Sequence, residues 1–339
     1  MDLQKITTLK ADLEAAYLAE KARLEFFRLE VSAGGFWVVR DVADGAVAGR
    51  TLRGHVNFAP ESALQAKCLR VRLLGLESAG YTRSTSHRSG SGSATRTEHL
   101  VHATDLGQVM TSVDLVTAPS PGSPIDVEFN LAIPPATLPT VNVPGYRIDW
   151  VLEFALVVDP AEPDPLASHH APIVVSSSAD ASGAGDSAAG FQAEIDADGS
   201  PPCPMCLSPA PLVSGSVFSG YARLTGPDPR RMRVVIEAIV KTSAPSDVPG
   251  GGLRISGAGM TLGGPNSVST GLNETVELWR GPVEAGPAGT LQFGGIVPAA
   301  ANVVGPNGSV GLRLGLVEDR RMMLDKYWRR PVAIVARQP

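Results

Sequence analysis

The chain has 339 residues, of which 43% are hydrophobic and 19% charged, a globular composition with room for two cores of about 130 to 150 residues each. Its 36 Gly and 28 Pro supply the many turns of an all-β fold and argue against long helical bundles. The net charge of −5 is unevenly spread: residues 101–200 carry fourteen acidic side chains and one basic one, Arg147, whereas 201–339 carry fourteen basic and nine acidic, and so acidic a middle excludes a chain built to track the phosphates of nucleic acid.

Residues 2–22 place Leu3, Ile6, Leu9, Leu13, Ala16 and Tyr17 at spacings of three and four, with charged residues between them. This predicts an amphipathic helix over 1–22. Its charges are mixed in sign, unlike the Lys/Arg-rich face of a helix held on anionic lipid. It is expected to pack on its own domain or on a sister chain, the alternative being recruitment of a partner or a membrane. The segment lacks the apolar run and cleavage site of a signal peptide. The longest apolar run, 150–158, is broken by Glu153 and falls short of the ~20 residues that cross a bilayer. Only Cys68, Cys203 and Cys206 are present, too few for a disulfide framework, so the expected compartment is the reducing cytoplasm.

From Arg23 the pattern changes to short strands, predicted over 24–31, 36–39, 51–58, 69–76, 109–117, 125–133, 146–159 and 173–175. Strict alternation in Leu69-Arg70-Val71-Arg72-Leu73 gives that strand one buried and one wet face. Residues 84–95 (STSHRSGSGSAT) contain nothing apolar larger than alanine and are expected to form a mobile hairpin loop. Residues 176–211, dominated by Ser, Ala, Gly, Asp and Pro, read as a flexible acidic linker. Strands resume over 214–224, 231–242, 253–262, 274–279, 291–297, 309–317 and 332–336.

The two strand-rich parts share landmarks in one order. Gly49 and Gly54 align with Gly215 and Gly220 at an offset of 166, and Leu69-Arg70-Val71 with Met232-Arg233-Val234 at 163. Phe129 and Ile133-Pro134 align with Phe293 and Val297-Pro298 at 164, and Pro172 with Pro331 at 159. Offsets that drift only by loop lengths predict a duplicated antiparallel β-sandwich. The expected division is a helix at 1–22, a first sandwich at 23–175, a linker at 176–211 and a second sandwich at 212–339.

The order of these landmarks resembles the arrestin family. The resemblance rests on the G-x-x-x-x-G strand, on Leu73-Leu74-Gly75-Leu76-Glu77, on Phe129 with Ile133-Pro134, and on the Leu138-Pro139-Thr140 turn before the strand at Gly145 to Ala155. It covers 23–175 well and 212–337 more weakly. It implies two tandem arrestin-like, immunoglobulin-like β-sandwiches acting as a non-enzymatic adaptor for membrane proteins or sorting machinery. The long linker, the N-terminal helix and the lack of a mappable buried ion-pair switch depart from the receptor-binding members. The richness in Ala, Gly and Arg fits a bacterial member.

Catalysis finds no motif: there is no G-x-S-x-G elbow, H-E-x-x-H helix or Walker-type loop. Cys203-Pro-Met-Cys206 has the spacing with which two thiolates hold Zn²⁺, but Cys68, His169 and His170 are the remaining ligands to hand and nothing local makes them converge. An ordinary linker segment, with no cofactor, is the default reading, beside a redox disulfide. His99 and His102, three apart on a strand, point to opposite faces and do not form a metal or acid–base cluster. Near the C-terminus Arg320, Arg321, Lys326, Arg329 and Arg330 surround Tyr327 and Trp328, the mixture that protein-binding surfaces use. It competes with a solvated loop and with docking on the acidic middle of the same chain. The sequence therefore points to an adaptor or scaffold that binds proteins through sheet edges, concave faces and loops, self-associates through strand edges, and meets membranes only through partners. The alternative is a structural or ligand-binding module of a larger assembly, zinc-stabilised through Cys203 and Cys206.

Overall fold

Along Thr51–Pro60 exposed and buried residues alternate, with Leu52, Gly54, Val56 and Phe58 turned inward, the period-two signature of a sheet with one wet face. The computed structural model describes residues 17–18, 20–21, 23–24, 26–27, 34–42, 45–89, 92–161, 164–177, 205–208, 210–224, 228–244, 266–320 and 325–335. It is all-β. The first strand set comprises β1 (Gly35–Arg40), β2 (Ala46–Val47), β3 (Thr51–Pro60), β4 (Cys68–Ser89), β5 (Gly92–Asp114), β6 (Ile125–Ala132), β7 (Val141–Val143), β8 (Tyr146–Val157), β9 (Ala167–Ile173) and β10 (Val175–Ser176). The second comprises β11 (Met205–Ser208), β12 (Leu212–Val213), β13 (Val217–Arg223), β14 (Met232–Thr242), β15 (Asn266–Gly271), β16 (Asn273–Ala285), β17 (Thr290–Ile296), β18 (Val303–Val304), β19 (Gly308–Glu318), β20 (Lys326–Pro331) and β21 (Ile334–Val335).

Strands β1, β3 and β6 form one antiparallel sheet, and β5, β4 and β8 form another in which β8 also carries β7 and β9. In the second set β11, β13 and β17 line up in the same way, β16, β14 and β19 follow, and β19 carries β18 and β20. Strand β16 belongs to both layers, pairing β14 along most of its length and β17 through residues 283–285. Parallel pairs β2–β10 and β12–β21 close the two sets.

The pairing registers repeat at the offsets read from the sequence. Leu52 lies opposite Leu131 and Phe218 opposite Gly295. Pro172 lies opposite Val151 and Pro331 opposite Arg313, and Ala46 pairs Val175 as Leu212 pairs Ile334. The glycine motif has the same physical reason in both copies. Gly49 and Gly215 take positive φ of +81° and +70°, the left-handed turn that leads into β3 and β13. A Cβ on Gly54 would lie 2.8 Å from the Phe129 ring and one on Gly220 2.4 Å from Phe293, so each glycine lets its phenylalanine lie against the backbone. Most of the buried apolar side chains belong to one cluster running from Phe58, Phe129 and Phe154 to Phe218, Val234 and Leu314.

Several boundaries differ from the sequence expectations. Residues 84–95 are not a loop up to the turn: Ser84 pairs Thr97 and the ladder continues to Ser89 opposite Gly92. Backbone bonding, not apolar burial, orders this hairpin, and β15 adds a third strand along β4 from Tyr81 to Ser86. Met205–Ser208, expected in the linker, is the edge strand β11 on β13. Strand β20 occupies what reads as a loop, and β9 begins well before the expected 173–175. Leu24, Phe26 and Phe27, expected in a strand, are helical together with Tyr17, Leu18, Glu20, Lys21 and Arg23. Most of the helix expected over 1–22, the strand expected over 253–262 and most of the expected linker lie outside the described residues.

Candidate functional site

Where the two strand sets meet, a carboxylate is fully buried. Glu77 on β4 has no exposed surface and accepts the Tyr146 hydroxyl at 2.6 Å from β8. Across the seam it accepts the Asn307 backbone N–H at 3.0 Å and the Asn307 Nδ2 amide at 2.7 Å. That amide also donates to Thr104 Oγ1 on β5 at 2.7 Å. Burial, and then the bond to Glu77, push the Tyr146 hydroxyl above its ordinary pKa, so Tyr146 acts as a donor. A buried carboxylate with several donors is strongly held by hydrogen bonding alone. The turn between β18 and β19 supplies Asn307, and its glycines fit closely: a Cβ on Gly305 would lie 2.2 Å from the Tyr146 hydroxyl.

A second set of contacts extends the seam. Thr242 at the end of β14 donates its hydroxyl to the Gly80 carbonyl at 2.5 Å and accepts the Leu272 N–H at 2.8 Å. The Thr82 and Thr270 hydroxyls meet at 2.8 Å beside the β4–β15 ladder. Glu77, Tyr146 and Asn307 are absent from the sequence-derived site. Their signal was faint: Glu77 interrupts an apolar strand, and Asn307 sits in the turn-forming Gly305-Pro306-Asn307-Gly308.

Each strand set also buries a charge cluster on the outward face of its β4-type layer. Glu153 on β8 is gripped by Arg72, whose Nη2 lies 2.6 Å away, with Arg70 at 3.8 Å and His170 at 3.7 Å. Burial alone would raise its pKa, but the bonds from His170 and Arg72 and the charges of Arg72 and Arg70 hold it at about 2. In the second set Glu237 accepts Arg313 Nε at 2.7 Å, with Arg329 Nε at 3.4 Å. Beside the Glu153 cluster, helical Phe27 packs on Leu76 and Val151. Glu20 joins Arg23 at 2.6 Å and Arg147 at 3.1 Å.

The C-terminal residues singled out from sequence are divided by the strand. Trp328 is buried in the core, and Lys326 lies 4.6 Å above its ring. Tyr327 carries Arg329 at 4.1 Å on its ring, and Arg329 also faces Glu237. Arg330 donates to the Met205 carbonyl at 2.5 Å and Arg320 pairs with Glu318 at 2.9 Å. Arg321 lies outside the described residues. These groups serve internal contacts on two faces of an edge strand and do not converge on one surface.

Cys206 is exposed on β11, where its thiol raises the pKa of neighbouring Tyr221 by hydrogen bonding. Cys203 lies outside the described residues. Cys68 is buried at the Val157 carbonyl, His169 stacks against Trp37 and Phe154, and His170 faces Glu153. Among the described residues no three His, Cys, Asp or Glu side chains are placed to hold a metal. His99 and His102 lie opposite Thr82 and Ala79 on β4, an odd spacing that puts them on opposite faces. Among the described residues no helix is long and apolar enough to cross a membrane. The chain matches no protein-family model and none of the curated proteins.

Proposed function

We propose that this chain is a non-enzymatic, arrestin-like adaptor or scaffold of the cytoplasm, two tandem β-sandwiches behind an N-terminal amphipathic helix, which binds protein partners. The observation that carries this reading is the seam. Two strand sets of the same topology are joined through β15 on β4 and through the buried Glu77–Asn307 contact. Buried polar groups there are expensive to leave unpaired and so fix one arrangement. A chain whose polar interior serves to fix two sandwiches relative to each other presents a composite surface to partners. The clusters at Glu153 and Glu237 are likewise occupied in holding strands together.

Affinity purification of the full chain from a native lysate tests this, with Glu77→Ala/Asn307→Ala as the seam-broken comparison. The reading expects partners in stoichiometric amount on the wild type and their loss from the variant. A wild type that retains none, or a variant that retains the same set, overturns it.

A further inference from the structure

The outward face of the β11–β13–β17 layer carries a trough. One row of side chains crosses four strands: Cys206 opposite Tyr221, Tyr221 opposite Gln292, and Gln292 opposite Glu284. The next outward row is small, with Ser208 opposite Ser219 and Ser219 opposite Gly294. The third row is apolar, Val217 opposite Ile296, and these two are 74% and 61% exposed beside a Tyr221 that is 49% exposed. Beside the Tyr221 wall lies a trough of about 570 Å³, lined also by Cys206, Ser208, Ser219, Gln292 and Gly294 and ending at Pro282 and Glu284; Val217 and Ile296 stand just outside it, two residues along their strands from Ser219 and Gly294.

At the repeat offsets the first strand set has Arg53 where the floor has Ser219 and Asn130 where it has Gly294. There His55 lies between Arg40 and Glu128, so long polar side chains cover that face. The same backbone thus carries a solvated face in one copy and, in the other, a small-residue floor with an exposed apolar pair beside it. Clustered exposed apolar groups around a concavity mark a binding surface, whereas scattered ones do not. Glu284 is the carboxylate in the lining and forms no ion pair among the described residues. The other polar lining groups, the Tyr221 hydroxyl, the Gln292 amide and the serine hydroxyls, are neutral.

We propose that this trough is the adaptor's peptide-binding site and takes a short extended segment with a branched apolar residue next to a lysine or arginine. The inference deepens the adaptor reading and rests on it. The apolar side chain seats over Ser219 and Gly294 against Val217 and Ile296, and the cation reaches Glu284. The floor from Ser208 across Ser219 to Gly294 spans two strand spacings, about 10 Å, which matches about three residues of extended chain. The recognised motif is therefore short, and its charge sets its specificity.

The test uses the full chain on immobilised octapeptides that hold one lysine beside one valine or isoleucine among serines, with a second series carrying glutamate in place of the lysine. Wild type is expected to favour the lysine series by about tenfold, Glu284→Lys to reverse that preference, and Ser219→Trp to lose both series. Tryptophan suits an exposed strand position, and an unchanged circular dichroism melt shows that each variant is folded. Equal retention of the two series, insensitivity to both variants, or self-association that buries the trough in the free protein overturns the proposal. Capture from lysate by wild type and Ser219→Trp separates the two failures. Unchanged partners without peptide discrimination reject the trough and leave the adaptor standing, whereas no partner on either protein rejects the adaptor as well.

Discussion

Set against two guanidinium groups and an imidazole, the Glu153 carboxylate is held well below the ordinary carboxylate range. Its pKa falls from an ordinary 4.5 to about 2, worth about 3 kcal/mol of stability through proton linkage. Because the folded value is depressed, that contribution is present above about pH 4.5 and disappears as pH falls through about 2. Urea unfolding of wild type and Glu153→Gln should therefore differ by about 3 kcal/mol at pH 7 and converge toward pH 2. A difference that stays constant over this range would show that Glu153 does not draw its stability from Arg70, Arg72 and His170. Residue by residue, the sequence disclosed which charges exist but not which pair. Arg70 and Arg72 read as the wet face of an alternating strand, yet Arg70 is 2% exposed and Glu153 5%, because the outward face of this layer is itself covered. The C-terminal Arg-aromatic group has the converse history. Proximity in sequence suggested one surface, whereas alternation along β20 turns Trp328 into the core and its neighbours outward. Trp328→Ala should then cost about 3 to 5 kcal/mol in chemical denaturation, as a core aromatic does. Arg329→Glu, which sets two carboxylates together at Glu237, should also destabilise; a melting temperature equal to wild type would place Arg329 in solvent instead.

Among the elements, the hairpin of β4 and β5 departs furthest from the sequence expectation. A stretch of Ser, Thr, Gly and Arg offers no apolar period, so no pattern in it distinguishes a strand from a loop. What orders it is β15, more than 180 residues away in sequence, which pairs Thr270 with Thr82 and Ser269 with Arg83. With both neighbours present, the β4 backbone between Tyr81 and Ser86 can satisfy its donors and acceptors on either side. Replacing residues 266–271 by a Gly-Ser linker should speed amide exchange at alternate β4 positions from Tyr81 to Ser86 by more than about tenfold, while β4 from Leu69 to Leu73 stays protected. Exchange from Tyr81 to Ser86 that is equally slow in the wild type and in the replacement would remove β15 from the fold. The short strands β11 and β20 were missed for a related reason. Both lie at sheet edges, where Pro, Cys and charged residues are tolerated and the hydrophobic signal is weak.

Across the whole molecule, the repeat was the most legible feature, since Gly49 and Gly215, Phe129 and Phe293, and Pro172 and Pro331 keep the same structural jobs in both copies. The seam was not legible, because it is made of Glu77, Tyr146, Asn307 and Thr242, single polar residues without periodicity that meet only after both strand sets exist. Its energetic role can nevertheless be separated from theirs. A buried carboxylate bonded across an interface couples the two sides, since opening the seam strands Glu77 without the Asn307 donors at a cost of about 3 kcal/mol or more. The β15 ladder adds to that coupling. Calorimetry of the full chain should therefore show one transition, its van't Hoff enthalpy close to the calorimetric value. Glu77→Ala/Asn307→Ala removes both partners together, so the variant keeps no orphaned charge and loses the coupling; it should split into two transitions, one for each strand set. If the wild type already unfolds in two steps, Glu77 is a buried group of the first set and the two sets are not energetically joined. If the variant keeps a single transition at a lower temperature, the coupling resides in β15 and Thr242.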